Sequence, residues 1–230
     1  MELSNVQRSV VERVVNAFET GSADGNYGAI SIFADGPHDM RQITYGRSQT
    51  TEYGHLRELV RRYVEAGGQF SAAMAVFADD INRVPLTDNA QFKQLLRDAG
   101  RKDPVMRRVQ DDFFTDKYFK PAMVWADKHG FTQPLSALVI YDSFIHSGGI
   151  LDLLRSRFHE SPPAAGGNEK KWIRAYVKAR HDWLASHSRK ILQKTVYRTV
   201  CFQCEIDRDN WDLCKAPVDA NGVPVSALTA

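Results

Sequence analysis

Residues 132–147 (TQPLSALVIYDSFIHS) are apolar almost all the way round a helical wheel. Leu135, Leu138, Val139, Ile140, Tyr141, Phe144 and Ile145 leave no continuous polar face. A helix of that kind has to be covered on most sides, so it is expected to be the central helix of the fold, wrapped by others. The rest of the chain supplies them. Val10, Val11, Val14, Val15 and Phe18 recur at helical spacing behind a Ser4 or Asn5 cap, and Gly21 suits the end of that helix. Residues 53–65 carry Leu56, Leu59, Val60, Tyr63 and Val64 on one face and stop at Gly67-Gly68. Residues 71–77 and 90–99 read as shorter helices, the second closed by Gly100. Asp103-Pro104 opens a long helix that Pro121 must kink or split, and residues 169–192 are a helical stretch rich in Lys, Arg and Trp. Residues 27–33 (YGAISIF) and 42–46 instead read as strands, joined through Ala34-Asp35-Gly36-Pro37-His38-Asp39. The chain of 230 residues suffices for one large domain or two lobes on a shared core. The expected organisation is a mainly α (α+β) domain over residues 1–214, with a linker-like loop at 161–168. A loosely packed tail is expected over 215–230, where periodicity fades.

Composition removes several functional classes. Lys plus Arg number 30 and Asp plus Glu 28, a net charge of +2, which gives no overall field for gripping nucleic acid. No run of about 18 apolar residues occurs, so no membrane span is expected. Glu2, Arg8, Glu12 and Arg13 interrupt what would be the apolar part of an export signal, and none is read. Cys201, Cys204 and Cys214 hint at zinc, but structural zinc takes four ligands and the nearest histidine, His187, lacks ligand spacing. A bridge between two of these cysteines and three plain thiols are the remaining readings, so neither metal nor cofactor is expected. No G-x-S-x-G, phosphate-loop or dinucleotide motif appears.

Carboxylates concentrate around the hairpin: Glu19, Asp24, Asp35 and Asp39. Glu19 ends an apolar helix, where partial burial favours the protonated form of a carboxyl. Asp35 and Asp39 lie in a polar turn, where a carboxylate stays solvated. One carboxyl as acid and another as base is what hydrolysis of a glycosidic bond requires. Carboxylates at helix ends and in turns also serve as caps and turn formers, so the pattern alone supports both readings.

Phe18-Glu19-Thr20-Gly21, then Gly25-Asn26-Tyr27-Gly28, then Ile43 through Thr51 (ITYGRSQTT) resemble the catalytic segment of the family 46 chitosanases. They are still more similar to lysozyme-like relatives, peptidoglycan-degrading domains attached to bacterial secretion-spike proteins. The family signature places a Glu, then a Tyr, then D-x-[RD]-[GP]-x-[TS]. Asp39-Met40-Arg41-Gln42-Ile43-Thr44 fits its last element except at Gln42, where Gly or Pro is expected. Residues 107–148 and 168–180 resemble later helices of the family. The resemblance implies a two-lobed lysozyme-like fold with a small sheet beside a substrate cleft. It implies Glu19 as general acid, Asp39 as general base, and Thr44 as the hydroxyl that holds the attacking water. Glu19 and Asp39 stand twenty positions apart, longer than the relatives lead one to expect, because 37–42 reads as partly inserted. Asp35, sixteen after Glu19, is therefore the alternative base.

Tyr27, Tyr45, Arg47 and Gln49 flank the hairpin and are candidates to bind sugar hydroxyls or N-acetyl groups, although strand tyrosines more often pack. His146 is weighed as a packing histidine against a catalytic one. Asp142 is weighed as a cleft residue against an anchor for a buried arginine. The basic run Lys170, Lys171, Arg174, Lys178 and Arg180 reads as a solvated helix face. The substrate expected is an amino-sugar polysaccharide. Peptidoglycan leads because of the mild positive balance and the unread export signal, with chitosan as the alternative and a non-catalytic carbohydrate-binding module as a further one. An extracytoplasmic site of action, a monomer and an immunity protein as partner complete the expectations; neither nucleic acid nor membrane is among them.

Overall fold

A computed structural model describes residues 1–47 and 49–227, in two compact units: residues 1–23 with 117–230, and residues 24–116. The first unit is built round the helix expected to be central. α1 (Asn5–Thr20) starts at Ser4, whose side chain accepts from Gln7 N in a capping box. It stops where Gly21 takes a left-handed φ of 68°. After a π-helical turn at Thr115–Phe119 the chain enters α6 (Lys120–Lys128), with Pro121 in its first turn, where the missing N–H costs nothing. α7 (Pro134–Ser147) is buried without a break from Pro134 to Ser143 and packs against α1, α6, α9 (Glu169–Ala185) and α11 (Tyr197–Asp207). Two single turns, α8 (Asp152–Arg155) and α10 (Lys190–Gln193), flank α9.

The expected loose tail is corrected by the structure. β4 (Val218–Ala220) and β5 (Val223–Val225) form a hairpin on α1 and α11, because Val218, Ala220 and Val225 bury their side chains among the helices of this unit. Two-residue alternation over so few positions is too short to stand out from a Pro- and Gly-containing sequence. Residues 228–230 of that expected tail lie outside the described residues. The three cysteines are free thiols, Cys201 buried and the other two exposed. Among the described residues no helix is long and apolar enough to cross a membrane.

The second unit joins a small sheet to a helical cluster. β1 (Ile30–Phe33), β2 (Gln42–Tyr45) and β3 (Thr50–Thr51) are antiparallel with β2 in the middle; Thr44 lies opposite Ser31 on one side and Thr51 on the other. Tyr27 falls in a turn ahead of β1 rather than in the strand. α2 (Leu56–Glu65) packs on α3 (Ser71–Ala75) and α5 (Pro104–Phe114), while α4 (Ala90–Lys102) packs on α5. Asp103 caps α5 by accepting from Val105 N at 2.8 Å. Gly100 does not end α4 as the sequence suggests. It sits inside the helix because a Cβ there would lie 2.1 Å from Tyr27 O, so its lack of a side chain permits close packing.

Candidate active site

Glu19 stands in the last turn of α1, in the first unit, with its side chain 11% exposed. Arg198 of α11 holds it: Nη2 lies 2.5 Å from Glu19 Oε1. The same guanidinium places Nη1 2.5 Å from Asp142 Oδ1, and Asp142 Oδ2 lies 2.7 Å from Arg180 Nη1. Four alternating charges thus run Glu19, Arg198, Asp142, Arg180 across α1, α11, α7 and α9. Arg180 also donates to Ser143 Oγ at 3.2 Å and to His146 Nδ1 at 3.2 Å, and Tyr176 donates its hydroxyl to Ser143 Oγ. The Arg198 guanidinium lies over Phe18, 5.4 Å from the ring centroid. The sequence points to burial as what shapes Glu19; the structure adds a guanidinium on one oxygen and leaves Oε2 without a hydrogen bond among the described residues.

The network sets the charges of its members. Burial alone would push the Asp142 carboxyl up, but Arg198 and Arg180 outweigh it and hold it below the usual carboxylate range. Burial would lower Arg198, and Asp142 and Glu19 more than reverse this, holding its charge firmly. His146 is pushed down to about 3 by burial and then by repulsion from Arg198 and Arg180. It is therefore the neutral acceptor of the Arg180 hydrogen bond, the satisfied histidine of the two readings. Asp142 is the anchor for buried arginines, two of them.

The remaining candidates lie in the second unit. Asp35 follows β1, exposed, and accepts from Gln42 Nε2 at 2.9 Å. Gln42, the departure from the signature, spends its other amide atom on Tyr53 N at 3.3 Å, so the side chain clamps the base of the loop. Asp39 is at the tip of the 3-10 turn Pro37–Asp39 and is exposed. His38 and Asp39 both take left-handed backbone, with φ 55° and 58°. The turn is closed by Gly36 N on Met40 O at 3.0 Å. Asp39 makes no side-chain hydrogen bond or ion pair among the described residues. Thr44, on central strand β2, is 6% exposed and its Oγ1 is buried without a hydrogen-bond partner among the described residues. Gln49 accepts from Ser31 Oγ at 2.9 Å and donates to Gly46 O at 3.1 Å.

Three expected sugar-binding residues, Tyr45, Arg47 and Tyr27, are engaged by contacts within the second unit. Tyr45 is fully buried and donates its hydroxyl to Leu96 O at 2.7 Å, so it packs the helical cluster and offers nothing to a ligand. Its phenol is pushed well up by burial. Arg47 is 6% exposed and paired with Asp111, which also accepts from Tyr27 OH at 2.9 Å. Gln110 completes this clasp, accepting from Arg47 N at 3.1 Å and donating to Tyr27 O at 2.9 Å. Tyr27 and Arg47 thus fasten the turn before β1 and the turn after β2 to α5. Gly46 is required between them: its φ is 83°, and a Cβ would stand 2.4 Å from Gln110 Oε1.

The family model for glycosyl hydrolase family 46 matches residues 13–218. The chain belongs to that family. Like other family 46 chains it is a glycoside hydrolase with a mainly helical, lysozyme-like fold. A curated relative, a chitosanase of Bacillus subtilis (strain 168), is 25% identical over 229 residues, covering 92% of this chain and 80% of its own. A Gynuella sunshinyii family 46 chitosanase solved with chitotetraose superposes with a TM-score of 0.80 at 23% identity, covering all of both chains. A Glu-to-Ala mutant of the Bacillus subtilis MY002 chitosanase, solved with 6 GlcN, gives 0.80 at 22% identity, covering 99% of this chain and 100% of the other.

Sequence reasoning missed the arginines of this family 46 chain's charged network. Arg180 reads as part of a solvated basic face, yet it has no exposed surface. The signal was present in spacing: Trp172, Ile173, Tyr176, Val177 and Leu184 mark the buried stripe of α9, and Arg180 stands in register with it. Arg198 falls with Cys201, Phe202 and Ile206 on the buried stripe of α11 in the same way.

Proposed function

We propose that this chain hydrolyses β-1,4 bonds between glucosamine units of chitosan, with Glu19 as general acid, Asp39 as general base and Thr44 holding the attacking water. The observation that carries the acid assignment is the asymmetry of Glu19: Oε1 is anchored by Arg198 and Oε2 has no partner among the described residues. An acid needs one oxygen fixed for orientation and the other free to pass its proton. Asp39 takes precedence over Asp35 because Gln42 already occupies an oxygen of Asp35, whereas the Asp39 carboxylate is exposed and uncommitted. The unpaired Thr44 hydroxyl supports the water-holding role, since a buried hydroxyl without a partner is otherwise unfavourable.

Substrate choice follows the relatives. Peptidoglycan leads on sequence grounds, but the curated relative is a chitosanase and the solved neighbours are chitosanases carrying chitotetraose or 6 GlcN, which supports the chitosan alternative instead. The test measures new reducing ends from chitosan and from cell-wall sacculi side by side, with the parent and with Glu19→Gln. Release from chitosan is expected, falling by about 10²–10⁴-fold in the variant. Release from sacculi alone would reverse the substrate assignment.

A further inference from the structure

Away from Glu19 and its charged network, the first unit contains a cavity of about 200 Å³ beside the start of α8. Its apolar walls are Trp125, Ile150 and Pro162, and it shares no residue with the Glu19–Arg198–Asp142–Arg180 network. Four polar side chains line it: Trp172, His129, Asp152 and Arg155, the last with its guanidinium engaged by two carbonyls of the adjoining loop. Trp172 lines the cavity, is 1% exposed, and its indole Nε1–H has no hydrogen-bond partner among the described residues, an arrangement that an acceptor on a ligand would complete. The His129 ring is stacked on Trp125 at 3.9 Å, and its Nδ1 lies 2.7 Å from Trp125 O. A carbonyl only accepts, so Nδ1 carries the proton and Nε2 is left as an acceptor. Asp152, exposed at the first position of α8, has no ion-pair partner among the described residues. The wall is built in advance: Arg155 donates to Phe158 O at 2.8 Å and Glu160 O at 3.0 Å, tying down the loop that brings Pro162 into place.

We infer that this cavity is a second, non-catalytic binding site for one glucosamine residue of an amino-sugar polymer. The volume is on the scale of a single pyranose ring, smaller than the usual pocket for a larger ligand. A donor, an acceptor and apolar walls suit a ring with hydroxyls and a C–H face, and the Asp152 carboxylate suits the ammonium that distinguishes glucosamine from its N-acetyl form. Such a site would hold a length of polymer on the protein independently of the bond being cut. The choice of glucosamine rests on the chitosan reading.

Titrating the full chain with free glucosamine and with N-acetylglucosamine, while following the four tryptophan indole N–H signals by NMR, tests the site. The Trp172 signal is expected to move saturably with glucosamine and less with N-acetylglucosamine, while those of Trp183 and Trp211 stay. Asp152→Asn, an exposed change that leaves packing intact, is expected to weaken glucosamine binding roughly threefold. A stationary Trp172 signal in a protein that still cuts chitosan overturns the site and leaves the substrate assignment standing. Equal response to both sugars also overturns it. A moving Trp172 signal with selectivity for glucosamine, in a protein that fails to cut chitosan, supports the site and removes the substrate assignment.

Discussion

Asp142→Asn is the sharpest test of the charged network, because it changes one atom at a fully buried position. Asp142 sits between two guanidinium groups, 2.5 Å from Arg198 and 2.7 Å from Arg180, with no exposed surface on Asp142 or Arg180. Removing the central negative charge leaves two positive charges facing a neutral amide. Breaking a buried pair by neutralising one partner costs about 3–5 kcal/mol. The cost is restrained here because Arg198 keeps Glu19 and Arg180 keeps Ser143 and His146. For a chain of this length about 1 kcal/mol corresponds to roughly 2–4 °C in Tm, so a fall of about 6–20 °C is expected at neutral pH. The pH dependence has a definite sign. The Asp142 carboxyl is held below its ordinary value in the fold, so its contribution is complete above the ordinary carboxylate range and is lost as pH falls through the depressed value. The parent should therefore lose stability in acid below about pH 4, while the variant, lacking the group, loses less over the same interval. Thermal unfolding of both proteins between pH 2 and 8, a range of about six units spanning the carboxylate titration, reads both effects. A Tm within about 2 °C of the parent at pH 7 would refute the reasoning, since the two arginines would then be satisfied without Asp142.

Asp39→Asn and Asp35→Asn should separate the two candidate bases. Turnover of chitosan is expected to fall by about 10²–10⁴-fold for Asp39 and much less for Asp35, and the reverse order would transfer the role. Tyr45→Phe deletes only the hydroxyl on Leu96 O, so a loss of about 1 kcal/mol by denaturant titration with unchanged kcat/KM is expected. A tenfold fall in kcat/KM, about 1.4 kcal/mol, would return Tyr45 to the substrate site. Glu52→Gln turns an NH2 toward one of the two backbone N–H groups, of Ile43 and Leu86, that the carboxylate holds at 3.0 and 2.7 Å. A cost of about 1–3 kcal/mol is expected in chemical unfolding.

What the sequence discloses and what it hides follow from how each feature is made. The all-round apolar helix α7, the Ser4 and Gly21 ends of α1, and the Asp103-Pro104 opening of α5 rest on local rules, and each is where the sequence places it. β3 has only two residues, and the C-terminal hairpin has three per strand, so neither carries a period long enough to read. Gly100 looks like a helix end because glycine is common there; only the position of Tyr27 O, distant in sequence, reveals that it is a packing glycine. Tyr45 could not be told from a ligand-binding tyrosine by its neighbours in sequence, since its partner Leu96 is supplied by α4. Glu19 was legible as a candidate through the resemblance, but Arg198, which orients it, comes from the other end of the chain.

The carboxylates show why long-range contacts are what separates structure from chemistry here. Glu52 has both oxygens on backbone N–H groups, and Asp103 has its oxygens on Val105 N, Gln69 N and Tyr63 OH. Asp142 has both on arginines. Each is held on both sides by its surroundings, so none can exchange a proton with a substrate without giving up part of the fold. Glu19 is different: one oxygen is held and the other is not. Asp39 has neither oxygen held among the described residues. A general acid must be oriented before the reaction, whereas a carboxylate that activates water needs solvent beside it. The two opposite degrees of restraint match the two proposed roles. Residue type alone does not separate Glu52, Asp103 and Asp142, with both oxygens committed, from Glu19, Asp35 and Asp39, which each keep at least one oxygen free among the described residues; that difference exists only once the chain has folded.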